Sequence, residues 1–172
     1  ISAEVEGMRF GQTLFDPYIA ILNDRRFEIA SVDDSPLLKQ DAALSVTIPE
    51  DGRYVIEVRE SGYGGDGNCR YRLHVGTFPR PTITYPAGGQ AGQTQEITFI
   101  GDATGPIAKQ IALPADTLET TIFIDDAQGV TPSGHPLRIS PHPNALETEP
   151  NQGFDTATVV STTTAARRLD GS

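Results

Sequence analysis

The side chains of this sequence best suited to chemistry are oxygen ligands. Glu147, Glu149 and Asn151 stand at alternate positions, and alternate side chains of an extended strand point to one side. Such a set suits a hard divalent cation, calcium above all, which takes six to eight oxygens. The competing reading is an exposed acidic linker. Asp33 and Asp34, followed by Ser35 and later Asp41, form a second oxygen cluster. Aspartates there equally serve as turn formers, because their carboxylates cap nearby backbone N–H groups. Paired carboxylates do not make a glycosidase without a cleft and separate acid and base environments. The histidines offer no catalyst: His74 is expected on the outward face of a strand, while His135 and His142 stand beside Pro136 and Pro143 as loop or surface residues. The sequence lacks the close histidine pair that zinc favours and a Gly-x-Ser-x-Gly elbow. No catalytic residue is expected, and the chain is not read as an enzyme.

The elements that must position these groups are strands. Seventeen Gly and thirteen Pro punctuate the chain, and no long stretch carries a 3.6-residue apolar period, which points to an all-β fold. Tyr54, Ile56 and Val58 alternate with Glu57 and Arg59, and Leu44, Val46 and Ile48 alternate with Ser45 and Thr47. Each is the period-two signature of a half-buried strand. With Pro49 to Gly52 between them, the two are expected to form an antiparallel hairpin. Ile19 and Ile21 face away from Tyr18, Ala20 and Leu22, and a strand from Phe27 follows the Asn23-Asp24 turn. Tyr71, Leu73 and Val75 mark another strand, reached through a glycine-rich loop at 61–68. That loop lacks the Lys-Ser/Thr ending of a phosphate cradle and is expected to be a flexible hairpin connection. Cys69, the sole cysteine, allows no intrachain disulfide and falls on the Tyr71, Leu73 and Val75 face as a structural thiol.

A boundary is expected from Gly76 to Pro81, where Pro79 and Pro81 interrupt any ladder. Beyond it, 82–85, 96–100, 110–113, 121–124 and 137–140 are short strand candidates. Stacking such strands sheet on sheet gives two small antiparallel β-sandwich modules, at residues 1–76 and 81–143, with a further segment at 147–172. The 13 basic against 23 acidic residues give a formal charge of −10, which argues against nucleic acid or anionic lipid as a partner. No apolar run is long enough to insert in a membrane.

The first segment resembles the bacterial pre-peptidase C-terminal domain, through 14–19, 30–35, Asp41 with Leu44, 51–58 and 71–75. Glu149-Pro150-Asn151, with Phe154 and Ala157, is similar to the motif that opens that family's domain, with Gln152 in place of an acidic residue. Residues 1–76 then look like a sandwich lacking its first strands, and 147–172 like the opening of a further copy. Residues 81–140 resemble the small immunoglobulin-like domains of transcription-factor and cell-surface proteins, through 86–92 and Gly101. These resemblances imply a slice of a tandem array in a secreted or envelope bacterial protein, serving adhesion, substrate targeting or spacing. Collagen-binding relatives of the fold imply calcium at the acidic entrance. Two alternatives stay open: an accessory domain that directs a secreted protease or other hydrolase to an extracellular protein or polysaccharide, and a structural repeat without ligand. A sandwich with an open edge also invites pairing with residues 156–172, from the same chain or another copy.

Overall fold

The structure, a computed structural model, describes residues 1–11 and 14–159, and within them the chain is all-β apart from one 3₁₀ turn. Strands β1 (Ser2–Glu6), β2 (Pro17–Leu22), β3 (Glu28–Val32), β4 (Ala43–Ser45), β5 (Val55–Glu60) and β6 (Arg72–Gly76) come first; the 3₁₀ turn, Met8–Phe10, lies between β1 and β2. They form two three-stranded sheets, ordered β4-β1-β6 and β3-β2-β5. The apolar sets alternate as their sequence demands. Ala3, Val5, Ile19, Ile21 and Leu44 fill a common core, with Ile56, Val58 and Leu73 packed against it. Outward of that core, Arg59 pairs with Glu57 at 3.2 Å.

The expected hairpin between Leu44–Ile48 and Tyr54–Arg59 does not form. β4 takes β1 as its neighbour, with Ala3 opposite Leu44, and β5 takes β2, with Ile21 opposite Ile56. Each strand therefore satisfies its backbone in a different sheet, and the two apolar faces meet across the core rather than lying side by side. The glycine-rich loop is corrected in the same way. It crosses from β5 in one sheet to β6 in the other, tied by Gly64 N–H to Glu60 Oε2 at 2.6 Å and Asn68 N–H to Asp66 Oδ1 at 2.7 Å. Register keeps Leu73 and Val75 on the core side, opposite Val5 and Ala3, but β6 is an edge strand and Val75 stays 46% exposed. Cys69 is half-buried and touches the same core.

The second half holds β7 (Ile83–Tyr85), β8 (Gly88–Gln90), β9 (Thr94–Ile100), β10 (Ile107–Ala112), β11 (Glu119–Ile122), β12 (Asp125–Asp126), β13 (Gly129–Val130) and β14 (His135–Ser140). All five strand candidates of this half are present, and β8, β12 and β13 are additions. Sheets ordered β10-β9-β7 and β11-β14-β8 enclose Ile97, Phe99, Leu113, Ile124, Leu137 and Ile139, and β12 pairs with β13 alone. The β8–β14 pairing runs parallel, an exception to the antiparallel expectation. Gly88 permits it: a Cβ there would sit 1.7 Å from the Arg138 carbonyl oxygen, so only glycine lets the two backbones approach.

The C-terminal segment carries no strand through Val159. The Thr148 N–H reaches Thr158 Oγ1 at 2.8 Å, and Phe154 is fully exposed. The remainder of the proposed pairing segment, 160–172, lies outside the described residues.

Candidate functional site

A cluster of buried charged side chains lies where the two halves meet. β1 is buried on both faces. Ala3 and Val5 enter the first core, while Ser2 and Glu4 point the other way, and Glu4 is 0% exposed. A carboxylate there is costly unless charged partners and hydrogen bonds surround it. Arg9, from the 3₁₀ turn, donates from Nη2 to Glu4 Oε1 at 2.9 Å and from Nε to Asp41 Oδ2 at 2.5 Å. Arg80, between the two boundary prolines and 2% exposed, places Nε 2.6 Å from Glu4 Oε2, an ion pair whose alignment falls short of a hydrogen bond. Its Nη1 donates to the Pro81 carbonyl at 2.7 Å. From the second half, Ser133 donates its hydroxyl to Glu4 and accepts from Arg9 Nη1.

Two further aspartates hold the frame. Asp41, fully buried, accepts from the backbone N–H of Gly7, Met8 and Arg9 at 2.9, 2.6 and 3.2 Å, which fixes the turn that presents Arg9. Asp102 accepts from Arg80 N–H at 2.6 Å, from the Thr104 N–H and hydroxyl at 2.8 and 2.7 Å, and from Ser45 Oγ at 3.3 Å. Burial works against the Asp102 charge, but those donors outweigh it and hold the carboxyl below its usual range. Burial likewise lowers Arg80, partly offset by Glu4 and reinforced by Arg9; a guanidinium nonetheless stays protonated. The junction thus contains two guanidinium groups against Glu4 and Asp41, with Asp102 tying the linker backbone. Ser45 also accepts the Ala103 N–H at 3.1 Å, a direct bond between the halves. Within the boundary, Pro79, Arg80 and Pro81 are therefore buried in an interface rather than strung along an open tether.

His135 is buried, 3% exposed, which corrects the loop or surface assignment. It begins β14, and the inward parity of Leu137 and Ile139 extends back to it. Its ring meets Phe99 edge-on, with centroids 5.4 Å apart. His74 is half-buried, with Nε2 3.7 Å from Glu6, while His142 is exposed as expected. Arg80 and Glu4 gave no sequence signal, because a linker arginine and a glutamate in a five-residue strand look like surface. His135 could have been found, since counting back by twos from Leu137 reaches it.

The structure brings Glu147, Glu149 and Asn151 together. Asn151 donates from Nδ2 to Glu147 Oε2 at 2.8 Å and from its backbone N–H to Glu149 Oε2 at 3.0 Å, and Gln152 adds a bond to Glu149 at 2.9 Å. Asp33 and Asp34 are exposed; Asp33 accepts the Asp34 N–H at 2.9 Å, the turn-making role. Asp41 does not join them in an oxygen cluster, because its carboxylate is committed to the 3₁₀ turn and Arg9. Near Asp33 and Asp34, Asp16 has its carboxyl raised by burial and then by Asp34, Asp33 and Glu60. No group of three or more His, Cys, Asp or Glu stands in metal-holding geometry among the described residues. No described helix is long and apolar enough to cross a membrane.

No protein family, curated protein or solved structure matches this chain.

Proposed function

We propose that this chain is a non-catalytic extracellular piece of a larger secreted or envelope bacterial protein, in which two β modules act as a rigid unit for spacing and for presenting adhesive or targeting loops. The observation that supports this is the sealed junction of Glu4, Arg9, Arg80, Asp41 and Ser133. Each of these groups is tied to a partner inside the interface. Rigid scaffolds of this kind leave recognition to loops, and the net charge of −10 fits an extracellular protein or polysaccharide better than a polyanion. The test is ¹⁵N relaxation across both halves at neutral pH. One shared tumbling time is expected; separate tumbling of the halves would sink the rigid-unit reading.

The same reading assigns calcium to Glu147, Glu149 and Asn151, with support from the hydrogen bonds that tie Asn151 Nδ2 to Glu147 and the Asn151 N–H to Glu149. Calorimetric titration is expected to give heat and a raised melting temperature at millimolar calcium, both reduced in Glu149→Gln. No heat and no stabilisation would remove calcium from the reading.

A further inference from the structure

Away from the junction, an aromatic and cationic group stands on the outward side of the sheet formed by β3, β2 and β5. Tyr18 of β2 lies opposite Arg59 of β5. The Arg59 guanidinium sits over the Tyr18 ring, 3.7 Å from its centroid, and over the Tyr63 ring at 4.2 Å. Its edge is tethered as well: Nε pairs with Glu57 at 3.2 Å, and Nη1 donates to the Glu60 and Ser61 carbonyls at 3.2 and 2.9 Å. Tyr63, just past β5, holds φ +60°, a left-handed backbone that a bulky side chain adopts only at a cost. The loop is pinned in that shape by the Tyr63 N–H on the Glu60 carbonyl at 3.1 Å and the Gly64 N–H on Glu60 Oε2 at 2.6 Å. Tyr63 is nonetheless 79% exposed. One face of its ring meets Arg59, so the other is open to solvent. A strained and tethered loop thus holds out an aromatic face that adds little to the core.

The groups around this stack are acceptors. Glu57 is half-exposed, and Glu28 accepts from the Tyr18 hydroxyl at 2.9 Å and from Ser31 Oγ at 2.7 Å; with Glu60, each keeps lone pairs beyond those bonds. The neighbourhood is negative, as the Asp16 carboxyl registers: it is raised by burial and then by Asp34, Asp33 and Glu60. An anionic ligand would be repelled there, and the guanidinium behind Tyr63 disfavours a second cation in front of it. A flat apolar face bordered by acceptors fits a ligand with C–H bonds on one side and hydroxyl donors around its rim, which describes a sugar ring. We infer that Tyr63, propped by Arg59 on Tyr18, is the stacking platform for a pyranose unit of an uncharged polysaccharide. The inference gives a ligand class to the targeting role proposed above and rests on it. Tyrosine suits the task because two side-chain torsions fix a large contact. Arg59 is a positioning residue, which sets the ring from behind.

The experiment runs the full chain at neutral pH through native gels that contain galactomannan, laminarin or, as the anionic counterpart, alginate. Retardation by at least one of the neutral glycans, and none by alginate, is expected. Tyr63→Ala is expected to weaken that binding about tenfold, the size of one aromatic contact, and Tyr63→Phe, which keeps the ring, to retain it. Melting temperatures check that both variants fold. A second readout needs no variant: the Tyr63 ring resonances of the wild type are expected to shift when the retarding glycan is added. No retardation by either neutral glycan, stronger retardation by alginate, unmoved Tyr63 resonances, or a Tyr63→Ala variant that binds like the wild type overturns the platform. Retention on gelatin that Tyr63→Ala abolishes would give the ring to a protein partner and overturn it too. Each of these results leaves the rigid unit standing, since relaxation reads docking with no glycan present.

Discussion

Arg80→Ala is expected to lower stability by about 3–5 kcal/mol, the usual cost of leaving one member of a buried ion pair without its partner. The size follows from where the orphaned charge sits. Glu4 is 0% exposed and Arg80 2%, so water cannot replace the lost guanidinium without opening the junction. Arg9 and Ser133 would still face Glu4 Oε1, but Oε2 would lose its 2.6 Å partner. Urea unfolding followed by tryptophan-free probes, such as far-ultraviolet dichroism, measures the change. The companion double variant, Glu4→Gln with Arg80→Met, is expected to recover much of the loss, because it removes both charges together. A single variant as stable as the wild type, or a double variant no better than the single, would show that the pair contributes little to docking.

Phe99→Ala is the second large effect, at about 3–5 kcal/mol from lost burial and the cavity left behind. Phe99 is fully buried in the second core and also carries the His135 ring. The variant therefore opens a cavity in that core and takes the Phe99 ring away from His135. Thermal unfolding should show whether the first module melts with the second. A single shifted transition is the expected result, because β1 is packed into both halves; two well-separated transitions, with the first module unchanged, would contradict that coupling.

Local periodicity carried much of the fold. The alternation of Tyr54, Ile56 and Val58 and of Leu44, Val46 and Ile48 placed the right residues inward, because one-faced burial leaves a period-two trace whatever the strand pairs with. Pairing left no such trace. Nothing in residues 44–58 announces that β1 and β2 supply the neighbours, since that choice is made by chain segments distant in sequence. The junction was hidden for a different reason. Glu4 and Arg80 are surface residue types on average, and their burial depends on meeting each other across most of the first module. Of the cation candidates, Glu147 and Asn151 share a side-chain hydrogen bond, whereas Asp41, grouped with Asp33 and Asp34, had another task.

The two prolines that bracket Arg80 invite a cut between the halves, and recombination or expression trimming at Gly76 would follow that invitation. Such a cut would separate Glu4 from Arg80 and Ser133 and uncover the side of β1 that bears Ser2 and Glu4. Carried together, the two halves keep those contacts; carried apart, each takes a buried charge of the junction into water or leaves it without its partner.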